Sequence, residues 1–303
     1  MKIAIAGGTG LIGRRLTEKW QHQGHDIYIL TRDASNKKNK PRLHYIEWLK
    51  HGLAPENELE GVDAIVNLAG ESLASGRWTT KRKTELLNSR ILSTRALIHL
   101  ISNLSKKPSL FINASAIGYY GTSVTKTFTE ASTAESEENN FLASVVKQWE
   151  DEAKIAQQYR IRSVFCRFGI VLHEKEGALA QMVLPYRMFA GGTLGSGKQW
   201  LSWIHIDDAV GLIDFALENK KVEGPLNVTA PTPLQMKHFG QTIAEVLNRP
   251  HWLPAPALAI KLVLGDMSTL VLDGQKVLPQ KAETLDYPFQ YRQLKPALEH
   301  LLT

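Results

Sequence analysis

The first thirteen residues constrain the fold more than any other stretch of this chain. Residues 2–6 (KIAIA) are an apolar run typical of a buried strand, and residues 7–13 (GGTGLIG) lead from it into a helical pattern that reaches Trp20. A strand, a glycine turn and a helix in this order are the context of a dinucleotide-binding fingerprint. One glycine permits the tight turn, one lets the backbone approach a pyrophosphate, and Gly13 lets the helix pack on the strand. The helix N-terminus offers free N–H groups and a positive dipole to the phosphates.

The second predicted strand, residues 26–31 (DIYILT), indicates which dinucleotide is bound. The residue at its end meets the adenosine ribose, where an acidic residue favours NAD and an arginine favours the 2′-phosphate of NADP. Thr31 and Arg32 stand there, about twenty residues past the glycines, so the sequence predicts NADP(H). Asp33 keeps NAD open as the alternative. The predicted cofactor contacts of the two segments are Gly7, Thr9, Gly10, Leu11, Ile12, Gly13, Thr31 and Arg32.

Composition narrows the class of partner. The chain has 303 residues and a formal net charge of +6, but its Lys and Arg are spread out, with small groups at 37–42 and 81–83. A nucleic-acid surface would need basic residues interleaved with aromatic ones in a patch. The single cysteine, Cys166, lies in an apolar run and fits a reducing compartment, and no apolar stretch has the length of a membrane span. We therefore expect a cytoplasmic monomer or homodimer with a small-molecule substrate and neither a nucleic-acid nor a membrane partner.

Strands and helices alternate through the first half of the chain. This alternation predicts an α/β fold with a doubly wound parallel sheet (Rossmann) and a smaller C-terminal region on the substrate side. Residues 1–230 are predicted to form the dinucleotide-binding domain and residues 231–303 a small C-terminal domain. Further strands are expected at 43–48, 62–68, 110–114, 162–168, 200–206 and 225–228, and helices at 83–104, 141–158, 178–189, 207–219, 236–247, 257–264 and 294–302.

Several segments spread along the chain match the pattern of one protein group. They are GGTGLIG at 7–13, TR at 31–32, NLAG at 67–70, NSR at 88–90, SAIGYYG at 115–121, RFGIVL at 167–172, LGSGKQW at 194–200 and SWIHIDD at 202–208. In these segments the chain resembles the extended and atypical short-chain dehydrogenase/reductase superfamily, in particular its group of NADP-binding proteins called epimerase family proteins. The resemblance covers essentially the whole chain, and the tail at 249–279 resembles that group's small C-terminal domain of unknown function. It implies further cofactor contacts at Leu68, Ala69, Gly70, Arg90 and Arg167.

The resemblance also implies a catalytic set, with one departure. In the superfamily a serine after the fifth strand polarises a substrate carbonyl, and a Tyr-x-x-x-Lys pair on the next helix completes the acid/base group. The serine corresponds to Ser115 and the lysine to Lys147, but Ala143 stands where the tyrosine is expected. Tyr119 and Tyr120 are the nearest replacements. The alternative interpretation makes Ser115 a loop cap, the tyrosines packing residues and Lys147 a solvated lysine.

The substrate side lacks one feature of sugar-nucleotide epimerases. Proteins of that type carry an arginine just before the strand predicted at 200–206, to clamp the diphosphate, and Leu201 occupies that place here. Lys198 cannot form a two-pronged guanidinium contact. The resemblance therefore does not imply a nucleotide-diphosphate sugar. Trp200 and Trp203 are candidates for stacking on a cyclic substrate or for core packing.

No metal site is predicted, because no His, Cys, Asp or Glu spacing fits a ligand set. His205 alternates with Ile204 and Ile206, so its ring should point away from theirs. We expect it to make a structural hydrogen bond rather than to act in catalysis.

Two functions remain open on the sequence. The first is an NADP(H)-dependent oxidoreductase or epimerase-like enzyme that acts on an unidentified small carbonyl or hydroxyl compound. The second is an NADP(H)-binding regulatory or sensing protein without turnover, since some proteins that resemble this chain are labelled cell-division inhibitors. The missing tyrosine at Ala143 is the reason that the second function stays open.

Overall fold

The computed structural model describes residues 1–50, 52–134 and 140–303. Its strands are β1 (Lys2–Ala6), β2 (Asp26–Thr31), β3 (Leu43–Glu47), β4 (Ala64–Asn67), β5 (Leu110–Ala116), β6 (Thr127–Phe128), β7 (Arg162–Phe168), β8 (Ile170–Leu172), β9 (Trp200–Leu201), β10 (Trp203–His205), β11 (Gly224–Val228), β12 (Leu234–Gln235) and β13 (Lys276–Val277). Its helices are α1 (Leu11–His22), α2 (Glu56–Leu59), α3 (Thr80–Asn103), α4 (Phe141–Lys154), α5 (Gly177–Arg187), α6 (Ile206–Glu218), α7 (Met236–Leu247), α8 (Ala257–Leu264), α9 (Thr269–Leu272), α10 (Gln280–Thr284) and α11 (Leu294–Leu302).

The main sheet has the strand order β3-β2-β1-β4-β5-β7-β11, and every adjacent pair in it is parallel. From β1 the chain adds β2 and β3 on one side of the sheet, and from β4 it adds β5, β7 and β11 on the other side. Between β1 and β4 the connections therefore leave in opposite directions and open a crevice beyond the carboxyl ends of the strands. The predicted doubly wound parallel sheet is confirmed, and its crevice lies at the glycine turn after β1.

The sheet is buried on both faces. Alternate residues of β1 enter two different apolar cores, with Ile3 and Ile5 in one and Ala4 and Ala6 in the other. Successive side chains of a strand point to opposite faces, so the two cores lie on opposite sides of the sheet. This two-sided burial is why the parallel strands appear in the sequence as continuous apolar runs. Cys166 of β7 is buried in one of these cores, and burial raises the pKa of its thiol to about 12.

A third apolar core joins the later helices. Leu179 of α5, Phe239 of α7 and Leu298 of α11 are all fully buried in it. The bounds predicted for α7, α8 and α11 agree with the structure. The predicted division at residue 231 falls between β11 and β12 and stays a prediction.

The structure differs from the sequence prediction around residues 200–208. The strand expected at 200–206 is split into β9, which pairs with β12, and β10, which pairs with β8. At the break, the Ser202 hydroxyl donates to the carbonyl of Gln275 and accepts from the N–H of Val277, so a later segment of the chain holds it. The N-cap of α6 is His205 and not Asp207 or Asp208, because the His205 ring accepts the N–H of Asp207.

The polar and acidic stretch at 122–140 includes, among its described residues, the short strand β6, which pairs with β13. Residues 135–139 of that stretch lie outside the described residues. Within the described ranges, no helix combines the length and the apolar character needed to span a membrane.

Candidate functional site

A cavity of about 1000 Å³, which we call the first cleft, opens where β1, β2, β3 and β4 end. Its walls come from the loops after these strands and from the first half of α3. Eight of the thirteen predicted cofactor contacts line it: Gly7, Thr9, Gly10, Thr31, Arg32, Leu68, Ala69 and Gly70. The structure therefore brings together residues that are up to 63 positions apart in the sequence, at the crevice of the sheet.

The glycine turn has the geometry that its sequence predicts. Gly7 has a φ of +78°, and a Cβ there would lie 2.6 Å from the carbonyl carbon of Leu68. A Cβ on Gly13 would lie 2.4 Å from the Gly7 oxygen, so only glycine lets α1 pack this closely on the turn. Gly10 differs, since its Cβ would have one neighbour within 4 Å, the Gly7 oxygen at 3.4 Å. The space beside Gly10 stays open toward the cleft.

Leu11 and Ile12 contribute to this site through the backbone rather than the side chain. Both belong to the first turn of α1, which begins at Leu11. The first N–H groups of a helix have no partner inside the helix and carry its positive dipole end. The side chains themselves do not line the first cleft, and Leu11 lines a separate cavity near His300.

Arg32 and Asp33 both lie at the rim of the first cleft but differ in their partners. The Arg32 side chain is 80% exposed, and its nearest carboxylate is that of Glu71 at 3.8 Å. The Asp33 carboxylate accepts hydrogen bonds from the N–H and the hydroxyl of Ser35 at 2.8 and 2.6 Å. These bonds lower the pKa of Asp33 and hold its carboxylate in its own turn. Of the two side chains, the Arg32 guanidinium is therefore the one free to meet a ligand.

Arg90 lies behind the wall of the first cleft. A Cβ on Gly70 would lie 3.3 Å from the Arg90 side chain, which places the arginine directly beneath that glycine. The guanidinium donates to the carbonyls of Leu86 and Glu71 at 2.9 and 3.0 Å. It forms no ion pair with a carboxylate among the described residues, and desolvation lowers its pKa to about 10. The group remains cationic at neutral pH and adds positive potential beside Gly70.

The predicted catalytic serine is buried and lines neither the first cleft nor a second cavity, the second cleft, which is described below. Ser115 is 3% exposed, and its hydroxyl donates to Oε1 of Glu150 at 2.6 Å. Arg167 forks onto the same carboxylate, with Nε to Oε1 and Nη2 to Oε2 both at 2.8 Å. Its remaining Nη1 donates to the Tyr120 hydroxyl at 2.9 Å, which in turn donates to Asn227 at 2.7 Å. We call these five residues the buried polar cluster.

Three residues with predicted roles at the site belong to this cluster. Arg167 is 2% exposed and does not line the first cleft, because its guanidinium is fully engaged by Glu150 and Tyr120. Tyr120 is fully buried, and burial raises the pKa of its phenol to about 12. The Ser115 hydroxyl lies within the protein interior rather than beside a ligand space. Tyr119 is half-buried with its ring 3.5 Å from the Arg167 guanidinium carbon, and it lines neither cleft.

Lys147, the lysine of the predicted catalytic set, lies on the exposed side of α4. On α4 the buried positions include Ala143, Val146 and Glu150, which recur at helical spacing, and Lys147 is exposed. Lys147 does not line the first cleft or the second cavity described below. The residue of α4 that meets Ser115 is Glu150, three positions further on, because that position faces the sheet. Ala143 is 1% exposed, so a tyrosine side chain would have no room there.

A second cavity of about 640 Å³, the second cleft, lies where β5 and β7 end. The start of α3 runs between the two clefts, since Arg82 lines the first and Lys83 lines the second. The walls of the second cleft combine apolar and aromatic side chains with several polar ones. The bulky apolar and aromatic members are Trp78, Ile117, Phe141, Leu142, Ile170, Met182, Trp200, Leu201, Met236, Leu270 and Val271. Of the two candidate tryptophans, Trp200 lines the cleft and Trp203 is fully buried in the core.

A buried pair of asparagines, which the sequence analysis missed, fixes the floor of the first cleft. Asn67, at the end of β4, donates to the oxygens of Thr94 and Asn113 at 2.9 and 2.7 Å. Its own amide oxygen accepts the N–H of Ala69 at 3.2 Å, which holds the loop that lines the cleft. The available signal was an asparagine inside two apolar strand runs, because a buried polar side chain requires a partner.

The structure also assembles one group of metal-ligand type that the sequence spacing did not indicate. Ligand atoms of His205, Asp207 and His300 lie within 4.8 Å of one another. His300 was overlooked because it stands 93 positions beyond Asp207 in the sequence. His205 makes the structural hydrogen bond that was expected, since its Nδ1 accepts from Asp207 at 3.1 Å, and its Nε2 lies 3.1 Å from Nδ1 of His300. Desolvation lowers the pKa of the buried His205 ring to about 4.

Comparison with known proteins shows which families and proteins this chain is similar to. The profile of the NAD-dependent epimerase/dehydratase family matches residues 3–229, and a domain of unknown function (DUF1731) matches residues 255–301. Epimerase family protein YfhF of Bacillus subtilis strain 168 is 49% identical over 302 residues, covering 100% of this chain and 98% of that protein. Epimerase family protein SH2119 of Staphylococcus haemolyticus is 43% identical over 301 residues, covering 99% of each.

Solved structures of proteins named as epimerases or epimerase family proteins superpose on this chain. The crystal structure of human epimerase family protein SDR39U1 (isoform 2) with NADPH superposes with a TM-score of 0.86 at 31% identity, covering 99% of each chain. The nucleoside-diphosphate sugar epimerase of Corynebacterium glutamicum gives a TM-score of 0.79 at 28% identity, covering 100% of this chain and 58% of that chain. MoeE5 in complex with UDP-glucose and NAD gives 0.77 at 17% identity, which shows the fold alone. The resemblance found in the sequence and the Rossmann fold are both confirmed.

Proposed function

The chain belongs to the NAD-dependent epimerase/dehydratase family, and on that premise we propose that it is an NADP(H)-dependent oxidoreductase for a small carbonyl or hydroxyl compound. The observation that carries the proposal is the first cleft, where an open glycine turn lies beside the exposed guanidinium of Arg32, whose one carboxylate contact among the described residues is Glu71 at 3.8 Å. We further expect the protein to act in the cytoplasm as a monomer or homodimer. Its substrate is expected to be a small molecule, with neither nucleic acid nor membrane as a partner.

The residues present fit a dinucleotide phosphate. The pyrophosphate would lie beside Gly10, where a Cβ would have almost no protein neighbour, and would meet the first N–H groups of α1. Arg90 beneath Gly70 adds a positive charge that no described carboxylate neutralises by an ion pair. The 2′-phosphate would meet Arg32, since the carboxylate of Asp33 is already bonded to Ser35. NADPH is also the ligand in the crystal structure of the human relative SDR39U1.

The second cleft is the proposed substrate site. It lies at the carboxyl edge of the same sheet, beside the first cleft, with the start of α3 between the two. A nicotinamide cofactor, when bound, would supply or accept the hydride. The residues of this chain would then hold the substrate and exclude water, which the apolar walls around Phe141, Met182 and Trp200 favour.

A sensing protein that binds NADP(H) without turnover is the second candidate, and one observation favours it. The Ser115 hydroxyl and the Tyr120 phenol are both engaged inside the buried polar cluster. Loss of a positioned general acid typically lowers a rate by ~10²–10⁴-fold. Single-turnover oxidation of bound NADPH by a panel of carbonyl compounds separates the two candidates, because a sensor leaves the cofactor reduced with every compound.

Substitution of Arg32 tests the cofactor assignment. Arg32→Glu should weaken NADPH binding by about a hundredfold or more and leave NADH binding nearly unchanged, because the 2′-phosphate loses a charge-assisted contact and meets a carboxylate. Both affinities can be measured by fluorescence titration. Lys38→Glu is the matched control, since Lys38 carries the same charge in the same loop, is exposed and does not line the cleft. Equal affinity of the wild type for the two cofactors would exclude the assignment of Arg32.

A further inference from the structure

We propose that the second cleft accepts a carbonyl compound built on an aromatic ring and bearing a positive charge, and that Asp273 is the residue that recognises the charge. This inference rests on the proposed function, because it takes the second cleft as the substrate site. It goes further in naming the chemical class of the substrate and the residue that selects it.

The lining of the second cleft favours a substrate that contains an aromatic ring. Trp78, Phe141 and Trp200 come from three separate segments and supply aromatic surface, and Met182 and Met236 supply adaptable thioethers. At about 640 Å³ the cavity is in the usual range for a small organic ligand, ~300–1,000 Å³. A compact ring system would bury much of its apolar area against these walls.

The ionisable groups of the second cleft indicate which charge its ligand would carry. Among the described residues these groups are Lys83, Asp266 and Asp273. Lys83 and Asp266 neutralise each other through a salt bridge at 2.6 Å that joins α3 to the segment before α9. The Asp273 carboxylate is exposed and has no hydrogen-bond or ion-pair partner among the described residues. Partial desolvation raises its pKa, and the charge of Lys261 opposes this shift. Asp273 is therefore the one ionisable group of the described lining that is left to pair with a ligand.

The same lining disfavours an anionic substrate. A nucleoside diphosphate requires guanidinium or ammonium groups to receive its phosphates. No arginine lines the second cleft among the described residues, its single lysine is already paired, and Leu201 is part of the wall. A ligand with the opposite charge would instead pair with Asp273. This reverses the charge preference expected of a sugar-nucleotide epimerase.

Three acetophenones of nearly equal size form the test, because they differ only in the para substituent: aminomethyl (cationic), hydroxymethyl (neutral) and carboxylate (anionic). The NADPH-saturated protein is titrated with each compound by calorimetry, and kcat/KM is measured from NADPH oxidation. We expect the cationic compound to bind about five- to tenfold more tightly than the neutral one, and the anionic compound to bind most weakly. Equal or tighter binding of the anionic compound, or binding of none of the three, would overturn the proposal.

Variants of Asp273 test whether this residue causes the difference in affinity between the cationic and neutral compounds. Asp273→Asn should abolish the difference between the cationic and neutral compounds, and Asp273→Glu should retain it. Asp26→Asn is the control, because Asp26 is an exposed carboxylate at the amino end of β2, on the opposite edge of the sheet. If the difference survives in Asp273→Asn, the proposal fails. Titration with NADPH alone comes first. If the protein does not bind NADPH, the proposed function fails. If it binds NADPH normally but does not distinguish the charges of the three compounds, only the proposed substrate class fails.

Discussion

The first and second clefts lie side by side at the carboxyl edge of one sheet, yet the chain builds them in different ways. The glycine turn of the first cleft is formed by backbone, and the other walls come from the loops after β2, β3 and β4 and from the first half of α3. The second cleft is formed by side chains from segments as far apart as Trp78 and Gln275. A site built from backbone requires glycines at fixed spacing, which are visible in a sequence. A site built from distant side chains requires only that they meet in the fold, which no short motif records.

The same contrast extends to what holds each cleft together. The turn of the first cleft depends on close approach, since neither Gly7 nor Gly13 has room for a Cβ. The wall of the second cleft depends on long-range polar contacts. Examples are the salt bridge from Lys83 to Asp266 and the hydrogen bond from Arg77 to the carbonyl of Val263. Loss of Lys83 or Arg77 should therefore weaken the wall of the second cleft, whereas a side chain added at Gly7 or Gly13 should disturb the turn of the first.

The largest effect is expected on stability, from the buried polar cluster that underlies the ends of β5 and β7. Arg167→Ala should lower the free energy of unfolding by about 3–5 kcal/mol, because it leaves the Glu150 carboxylate buried without its partner. Urea denaturation measures this loss. Arg95→Ala is the control, since Arg95 makes a comparable two-pronged contact with Glu152 but is 63% exposed and should cost at most about 1 kcal/mol. Similar losses in the two variants would show that burial does not set the energy of the Arg167 contact.

The next effect should appear in binding with little change in folding. Gly10→Val should abolish measurable NADPH binding, a loss of about a hundredfold or more, because the branched side chain would occupy the space left for the pyrophosphate. Its cost in stability should stay near 1 kcal/mol, since Gly10 is the N-cap of α1 and a Cβ there meets one atom at 3.4 Å. Gly118→Ala, whose Cβ would make only ordinary contacts outside the first cleft, should bind NADPH normally. A folded Gly10→Val protein with normal affinity would refute the assignment of the glycine turn.

The sheet and the first cleft could be predicted because their signals are local. The strands at 2–6, 26–31 and 162–168 have the predicted bounds, since strands buried on both faces are continuous apolar runs. The glycine turn could be placed for the same reason. Arg90 could be named only from the resemblance, because its position beneath Gly70 depends on how α3 packs.

The surroundings of the predicted catalytic residues could not be read from the motif spacing, because that spacing does not show which face of α4 meets the sheet. Ala143 and Lys147 match the spacing of the superfamily, but the face of α4 that meets β5 presents Glu150. Glu150 and Arg167 stand 17 positions apart on a helix and a strand, and each looks like an ordinary charged residue in the sequence. Their pairing depends on the register of β5 beside β7, which sets Ser115 opposite Arg167. The place of Asp273 also depends on the tertiary structure, because it enters the second cleft from the C-terminal segment.

The smallest expected effect is that of Ser115→Ala, and it distinguishes the superfamily role of this serine from the role that the structure gives it. The Ser115 hydroxyl donates to Glu150, so its loss should cost about 1.5–3 kcal/mol of stability and leave NADPH affinity unchanged. Ser163→Ala is the control, because Ser163 is equally buried but donates to a neutral backbone carbonyl and should cost about 1 kcal/mol. Turnover of any substrate found for the second cleft should fall only modestly, since the hydroxyl reaches the protein interior and not the cavity. A fall in kcat of ~10²-fold or more with stability preserved would instead place Ser115 against the reacting oxygen. That outcome would return the catalytic centre to the position implied by the superfamily and would remove the contrast drawn between the two clefts.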